Sequence, residues 1–199
     1  FTPPTEPATV VTNTKFLLGN LPYFKDQSAS NHAITVTGDV SLEPKSLFDN
    51  AAYSEASHGA SAYFDGTGDY LDLNGDAEFA FGTNDFTIEF WYHSNGSQTG
   101  ILCDFRPTST QGTYTLLYVN SDTIIYFHQS GARITSSAIS HNVWTHLALT
   151  RSGTDVKLFI NGQQEGSTFT NSLSELVGAN RPRLGSNGLY SAGAAHFNG

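Results

Sequence analysis

An all-β fold, a jelly-roll sandwich of two antiparallel sheets, is what this sequence predicts, and three observations carry the prediction. Short runs alternate apolar and polar residues, as in Phe86-Thr87-Ile88-Glu89-Phe90-Trp91-Tyr92, the period of a strand with one buried face. Turn formers separate such runs at intervals of roughly 8 to 12 residues, the spacing of sandwiches and jelly rolls. Charged residues make up only 14% of the chain, against 19 glycines and 14 phenylalanines, a balance that suits strands and tight turns better than helices. No stretch sustains an apolar 3.6-residue period.

Taken in order, residues 1–13 open with Phe1-Thr2-Pro3-Pro4-Thr5-Glu6-Pro7 and read as a proline-rich linker or arm. The domain then runs over 14–199. Thr14–Leu18 is a short first strand, Asp26–His32 a polar turn, and Ala33–Val36 the next strand, ended by Gly38-Asp39. Ser41–Ser57 reads as a long loop. Ser61–Phe64 and Tyr70–Leu73 form a pair of strands around Asp65-Gly66-Thr67-Gly68-Asp69. Asp76–Gly82 suggests one helical turn. Strands follow at Phe86–Tyr92 and Gly100–Phe105, then Thr113–Val119 and Thr123–His128 as a hairpin. Arg133–Ser136 is brief, and Trp144–Arg151 alternates again. Asp155–Ile160 turns at Asn161-Gly162, the strongest hairpin signal in the chain because both residues take positive φ. Arg183-Leu184 starts a late strand.

At 199 residues the chain is long enough for one sizeable core. Its formal charge of −9 repels a phosphate backbone, which argues against nucleic acid as a partner. No apolar run reaches the length of a membrane span, and the N-terminus has no signal-peptide pattern. The sequence has no methionine, so a processed product or a segment of something longer is expected. Cys103 stands alone in Ile101-Leu102-Cys103-Asp104-Phe105, where a small buried hydrophobe is the simpler reading than a catalytic thiol.

Residues 59–71, Gly-Ala-Ser-Ala-Tyr-Phe-Asp-Gly-Thr-Gly-Asp-Tyr-Leu, and 85–91, Asp-Phe-Thr-Ile-Glu-Phe-Trp, resemble the laminin-G-like branch of the concanavalin A-like lectin/glucanase superfamily. Trp144–Ala148 with Val156–Gly162, and Arg183-Leu184-Gly185 with Phe197-Asn198-Gly199, resemble its later signatures in the same order. The resemblance spans roughly residues 14–199 and implies the concanavalin A-like jelly roll. The opening proline-rich run and residues 31–39 resemble repeats in virion proteins of marine bacteriophages, especially cyanophages, where such a run is the seam between domains. That resemblance implies a further strand after Gly199, so a neighbouring segment supplies it or the polypeptide is longer.

The function so implied is a non-catalytic binding and structural module of a phage virion: tail fibre, capsid decoration or adhesin. Its partners would be other virion subunits or neighbouring repeats, together with host-surface glycans. The alternative is a glycan-binding domain of a secreted bacterial adhesin or multidomain enzyme, at the cell surface. Superfamily glucanases carry several acids on one strand face, because a retaining glycosidase needs two carboxyl groups about 5 Å apart. Here the equivalent strand offers Glu89 alone, so an enzyme is not expected.

Histidine spacing gives no zinc cluster, since His141 and His146 fall on opposite faces of one strand. The resemblance also admits calcium, with Asp65, Asp69 and Asp72 as donors. The competing reading is a tight turn whose aspartates bond their own backbone, and Ser186–Tyr190 carries none of the carboxylates that pentraxins place there. Sugar contact would fall to Arg106, Tyr114, Tyr118, Tyr126, His128 and Tyr190, aromatic platforms beside polar groups. The competing reading for each aromatic is core or cross-strand packing.

Overall fold

The computed structural model describes residues 7–19, 23–43, 59–74, 77–108, 110–188 and 195–199. Thirteen strands are present among them: β1 (Thr35–Thr37), β2 (Ser41–Glu43), β3 (Ser61–Tyr63), β4 (Tyr70–Asp72), β5 (Phe86–His93), β6 (Gln98–Asp104), β7 (Leu116–Ser121), β8 (Thr123–His128), β9 (Gly131–Thr135), β10 (Trp144–Ser152), β11 (Asp155–Ile160), β12 (Gln163–Thr170) and β13 (Arg183–Leu184). The only helical element described is a 3-10 turn at Ala77–Phe79, where the sequence suggests one.

The strands form a seven-stranded sheet in the order β1-β4-β13-β6-β7-β8-β9 and a four-stranded sheet in the order β12-β11-β10-β5, with β2-β3 as a small third sheet. Every strand pairing is antiparallel. The fold class read from the sequence is the one observed.

Alternation decides which side chains enter the core. Phe86, Ile88, Phe90 and Tyr92 of β5 belong to the core cluster or pack against it, as do Leu147 and Leu149 of β10 and Val156 and Leu158 of β11. From the seven-stranded sheet, Leu71, Leu117, Val119, Ile124 and Tyr126 meet them. Truncating a buried leucine such as Leu147 to alanine costs about 2–5 kcal/mol, because the cavity does not fully collapse. Cys103 is buried in this core, and burial together with the adjacent Asp104 pushes its thiol pKa far up, which suits an inert hydrophobe.

Local signals hold at the turns. Asn161 and Gly162 both adopt positive φ, 49° and 77°, between β11 and β12. Ser121, with φ 54°, closes the β7–β8 hairpin. Three expectations need correction. Thr14–Leu18 forms no strand; Phe16 and Leu18 pack against the core from an irregular segment. This segment is held by Asp26, whose carboxylate accepts the backbone N–H of Leu17, Ser28 and His32.

Second, Ser41–Glu43 is strand β2, not loop; residues 44–57 of that expected loop lie outside the described residues. Third, β3 and β4 do not pair with each other. β3 pairs with β2, whereas β4 sits between β1 and β13. The turn between them carries the chain from the small sheet to the large one. The backbone of Phe64 instead exchanges two hydrogen bonds with Gly199, each 3.0 Å.

Candidate glycan-binding site

Sheet pleating sorts the middle strands into two faces. On β7 and β8, Leu117, Val119, Ile124, Tyr126 and His128 point inward, which turns Leu116, Tyr118, Ile125 and Phe127 to the outer face of the seven-stranded sheet. There a shallow cleft of about 230 Å³ is lined by Thr99, Ile101, Arg106, Leu116, Tyr118, Phe127, Asn187 and Ala195. Its floor is apolar. Tyr118 and Phe127 meet edge to face with ring centroids 6.5 Å apart, and the Arg106 guanidinium carbon lies 5.8 Å from the Phe127 centroid. Burial raises the Tyr118 phenol pKa, an effect partly opposed by Arg106, so the hydroxyl stays neutral and can both donate and accept.

The wall of the cleft is built by buried charge. Asp104 accepts Nε and Nη2 of Arg106 at 2.9 and 2.8 Å, and its Oδ2 also accepts the Gly188 N–H at 2.7 Å. Arg181 donates to the carbonyls of Arg106 and Gly188, at 2.8 and 2.7 Å. Arg183 makes a two-pronged bond to Asp72, 2.8 Å on each side, and lies 3.8 Å over the Tyr70 ring. These pairs pin residues 185–188 against the sheet and present the Asn187 amide, whose Oδ1 is 3.3 Å from Arg106 Nη2. An apolar floor rimmed by hydroxyl, amide and guanidinium groups can meet the C–H face of a sugar while bonding its hydroxyls.

Of the six residues the sequence nominates for sugar contact, the fold brings Arg106 and Tyr118 together. Tyr126 and His128 are wholly buried between the sheets, because they stand one pleat out of phase with Tyr118's outer face. Tyr114 lies before β7 in an isolated bridge with Leu176, and its ring packs against the core. Tyr190 lies outside the described residues. Phe127 and Asn187 were not foreseen. Phe127 was legible as the alternate of Tyr126; Asn187 reaches the cleft only through folding.

Tyr126 and His128 belong instead to a buried polar hub centred on Glu175, itself 1% exposed. Glu175 accepts from Tyr126 Oη at 3.2 Å, Asn171 Nδ2 at 2.8 Å and Thr115 Oγ1 at 3.1 Å, with His128 Nε2 3.2 Å away. Burial foremost, then Glu175, pushes the Tyr126 pKa up. Arg151 ties the same region down by donating to the carbonyls of Gly82, Asn171, Gly153 and Leu173.

The acidic turn also differs from expectation in its membership. Asp72 is engaged by Arg183 and is no donor to the set. Asp39 takes its place: oxygens of Asp39, Asp65 and Asp69 lie within 4.8 Å of one another. Asp69, 1% exposed, accepts the N–H of Asp39 at 2.8 Å and of Asp65 at 3.1 Å. The turn-chemistry reading therefore describes what these carboxylates do. Asp39, Asp65 and Asp69 are also the residues that could hold a hard cation, since oxygen donors of this kind suit calcium. Glu89 faces outward beside His146, 3.6 Å away.

Two antiparallel sheets over one core, with an aromatic and polar cleft on the outer face, define a lectin-like sandwich domain. The chain belongs to the concanavalin A-like lectin/glucanases superfamily: a laminin G family model of that description matches residues 65–199. Comparison with curated proteins finds no match.

Among solved structures, one of botulinum neurotoxin type C, whose cell entry is dependent upon interaction with two ganglioside molecules, is similar at a TM-score of 0.61 and 15% identity, over 92% of this chain and 43% of that one. Domain 4 of the extracellular arabinanase AbnA from Geobacillus stearothermophilus, in complex with arabinotriose, is similar at 0.58 and 18%, over 87% of this chain and 81% of that one. The binding domain of botulinum neurotoxin DC, in complex with SialylT, gives 0.57 and 14%, over 81% and 40%. The chain thus spans about two fifths of the toxin structures. At these identities the likeness establishes the fold.

Proposed function

We propose that this chain is a non-catalytic glycan-binding module, with the cleft over β6, β7 and β8 as its sugar site. The observation that carries the reading is the meeting of Tyr118 and Phe127 with Arg106 and Asn187 over an apolar floor. Similar folds solved in complex with arabinotriose or SialylT support it. In this reading Tyr118 and Phe127 take the apolar face of the saccharide, Asn187 and the Tyr118 hydroxyl bond its hydroxyls, and Asp104 holds Arg106 in place.

The finer reading is a structural and adhesion module of a bacteriophage virion. It rests on the resemblance of residues 1–7 and 31–39 to phage virion repeats, and the net charge of −9 is compatible with it. A glycan array, run with and without calcium on wild type and on Tyr118→Ala, tests the binding. Saturable signal lost in Tyr118→Ala is expected; absence of binding in both conditions would leave only an architectural role. Peptides of this sequence in purified phage particles would support the virion assignment, and their presence in a bacterial secretome instead would overturn it.

A further inference from the structure

A second concavity lies where β10 begins and β11 ends, between the loop that follows β9 and the β11–β12 hairpin. It shares no residue with the cleft. Its volume is about 190 Å³, below the roughly 300–1,000 Å³ of pockets for drug-sized ligands, so it has room for one ring and not for a chain. Register puts its walls in place. Ile160 stands opposite Leu147, and Thr145 is two residues before Leu147 on the same inward face of β10. Glu165 of β12 stands opposite Leu158 of the core, so its side chain is turned toward the space between the sheets.

The pocket is amphiphilic. Ile139, Val143 and Ile160 give it apolar walls, and Thr145, 2% exposed, brings a hydroxyl group to its inner end. Two polar side chains are already fixed there. Glu165 Oε2 accepts the Ser137 N–H at 2.8 Å, which leaves Oε1 to accept from a ligand. Asn161 Oδ1 accepts the His146 N–H at 2.9 Å, which leaves the amide protons to donate.

No lysine or arginine lines this pocket, and among the described residues no cation pairs with Glu165. A neutral ring entering it would strip water from a half-buried carboxylate and return no charge, which is costly. An ammonium would instead form a charge-assisted hydrogen bond, roughly twice as strong as a neutral one. The net charge of −9 favours the approach of a cation as well. We propose that this pocket binds a single amino sugar carrying a free ammonium. Glu165 takes the ammonium, Asn161, Ser140 and Thr145 bond the hydroxyls, and the C–H face of the ring lies on Ile139, Val143 and Ile160. The site needs no residue of the cleft, so each of the two stands or falls separately.

The intact, isotope-labelled chain is titrated with methyl glucosaminide, methyl N-acetylglucosaminide, methyl glucoside and cyclohexylamine, and its amide shifts are followed by NMR. A mildly acidic buffer keeps amines protonated and carboxylates ionised. The Ser137 N–H, bonded to Glu165, is the direct reporter. Methyl glucosaminide should move the Ser137 and Asn161 amides saturably and bind at least tenfold more tightly than either neutral sugar. Glu165→Gln keeps an oxygen for the Ser137 N–H and should lose that preference. Val143→Phe fills the pocket from a position 48% exposed, where the fold tolerates it, and should weaken binding at least tenfold. Tyr118→Ala should leave binding unchanged. Absence of saturable movement with methyl glucosaminide overturns the inference. So does equal affinity for the N-acetylated sugar, which removes the role of the ammonium, or for cyclohexylamine, which removes that of the hydroxyls. Binding that vanishes in Tyr118→Ala overturns it too, by placing the sugar in the cleft.

Discussion

Asp104 grips Arg106 through two hydrogen bonds, 2.9 Å to Nε and 2.8 Å to Nη2, with the residues 0% and 5% exposed. Such a pair is a fixture of position more than a source of net stability. Asp104→Ala should nevertheless cost about 3–5 kcal/mol, since it strands a buried guanidinium and frees the Gly188 N–H. Urea denaturation checks the magnitude. Replacing both residues by leucine should recover much of the loss while abolishing saccharide binding at the cleft.

The Glu175 hub makes a second case. Tyr126→Phe removes one hydroxyl and should cost about 1 kcal/mol, whereas Glu175→Ala leaves several buried donors unmet and should cost on the order of 3 kcal/mol. The double variant should cost less than the sum, because the two residues share one bond. A double-mutant cycle by chemical denaturation measures that coupling.

Acid stability should trace in part to Asp26. Burial alone would raise its pKa, but the N–H groups of Leu17, Ser28 and His32 and the Ser28 hydroxyl outweigh it, and the net shift is downward. With the folded value below the unfolded one, Asp26 stabilises the fold above about pH 4, and that contribution fades as pH falls through the folded pKa. Asp26→Asn should be less stable than wild type at pH 7 and lose less on acidification to pH 3. Denaturation at the two pH values is the check.

His146 titrates in the opposite sense to a histidine gaining a partner. Burial holds its imidazole below the ordinary range, against the pull of Glu89. The unfolded chain then takes up the proton first, so this site's contribution declines as pH falls through about 6.5. Glu89→Gln should lower the His146 pKa further, as NMR of the imidazole protons would show.

Gly38 has φ 83°, and a Cβ there would collide with Asp69 Oδ1. Gly38→Ala should therefore break the bond from Asp39 N–H to Asp69 and cost about 1–3 kcal/mol, through left-handed strain and the lost hydrogen bond together. Thermal unfolding of the variant tests it.

Alternation and turn chemistry were enough to locate β5, β7, β8, β10 and β11, since each depends on its own residues. Asn161-Gly162 named its turn outright. What local pattern does not encode is which strand lies beside which. The runs on either side of Asp65–Asp69 look like partners, yet Arg183 and Leu184, far along the chain, occupy the place beside β4. The same limit governs the site. Tyr118 and Arg106 are visible as polar aromatics and cations, but the phase of the pleat separates Tyr126 from Tyr118, and no spacing reveals that Asp72 is claimed by Arg183 or that Asp39 joins Asp65.

The two residues of β13 stand between β4 and β6, paired to both. Until Arg183 and Leu184 arrive, the large sheet exists as two pieces, each with an open edge, while β7, β8 and β9 can close as local hairpins. During synthesis those edges wait unpaired for about eighty residues beyond β6, the state in which strands most readily join the wrong neighbour. The slow step of folding should therefore be the seating of β13, and a variant that weakens it, such as Arg183→Ala, should raise aggregation during refolding by more than its loss of equilibrium stability would suggest.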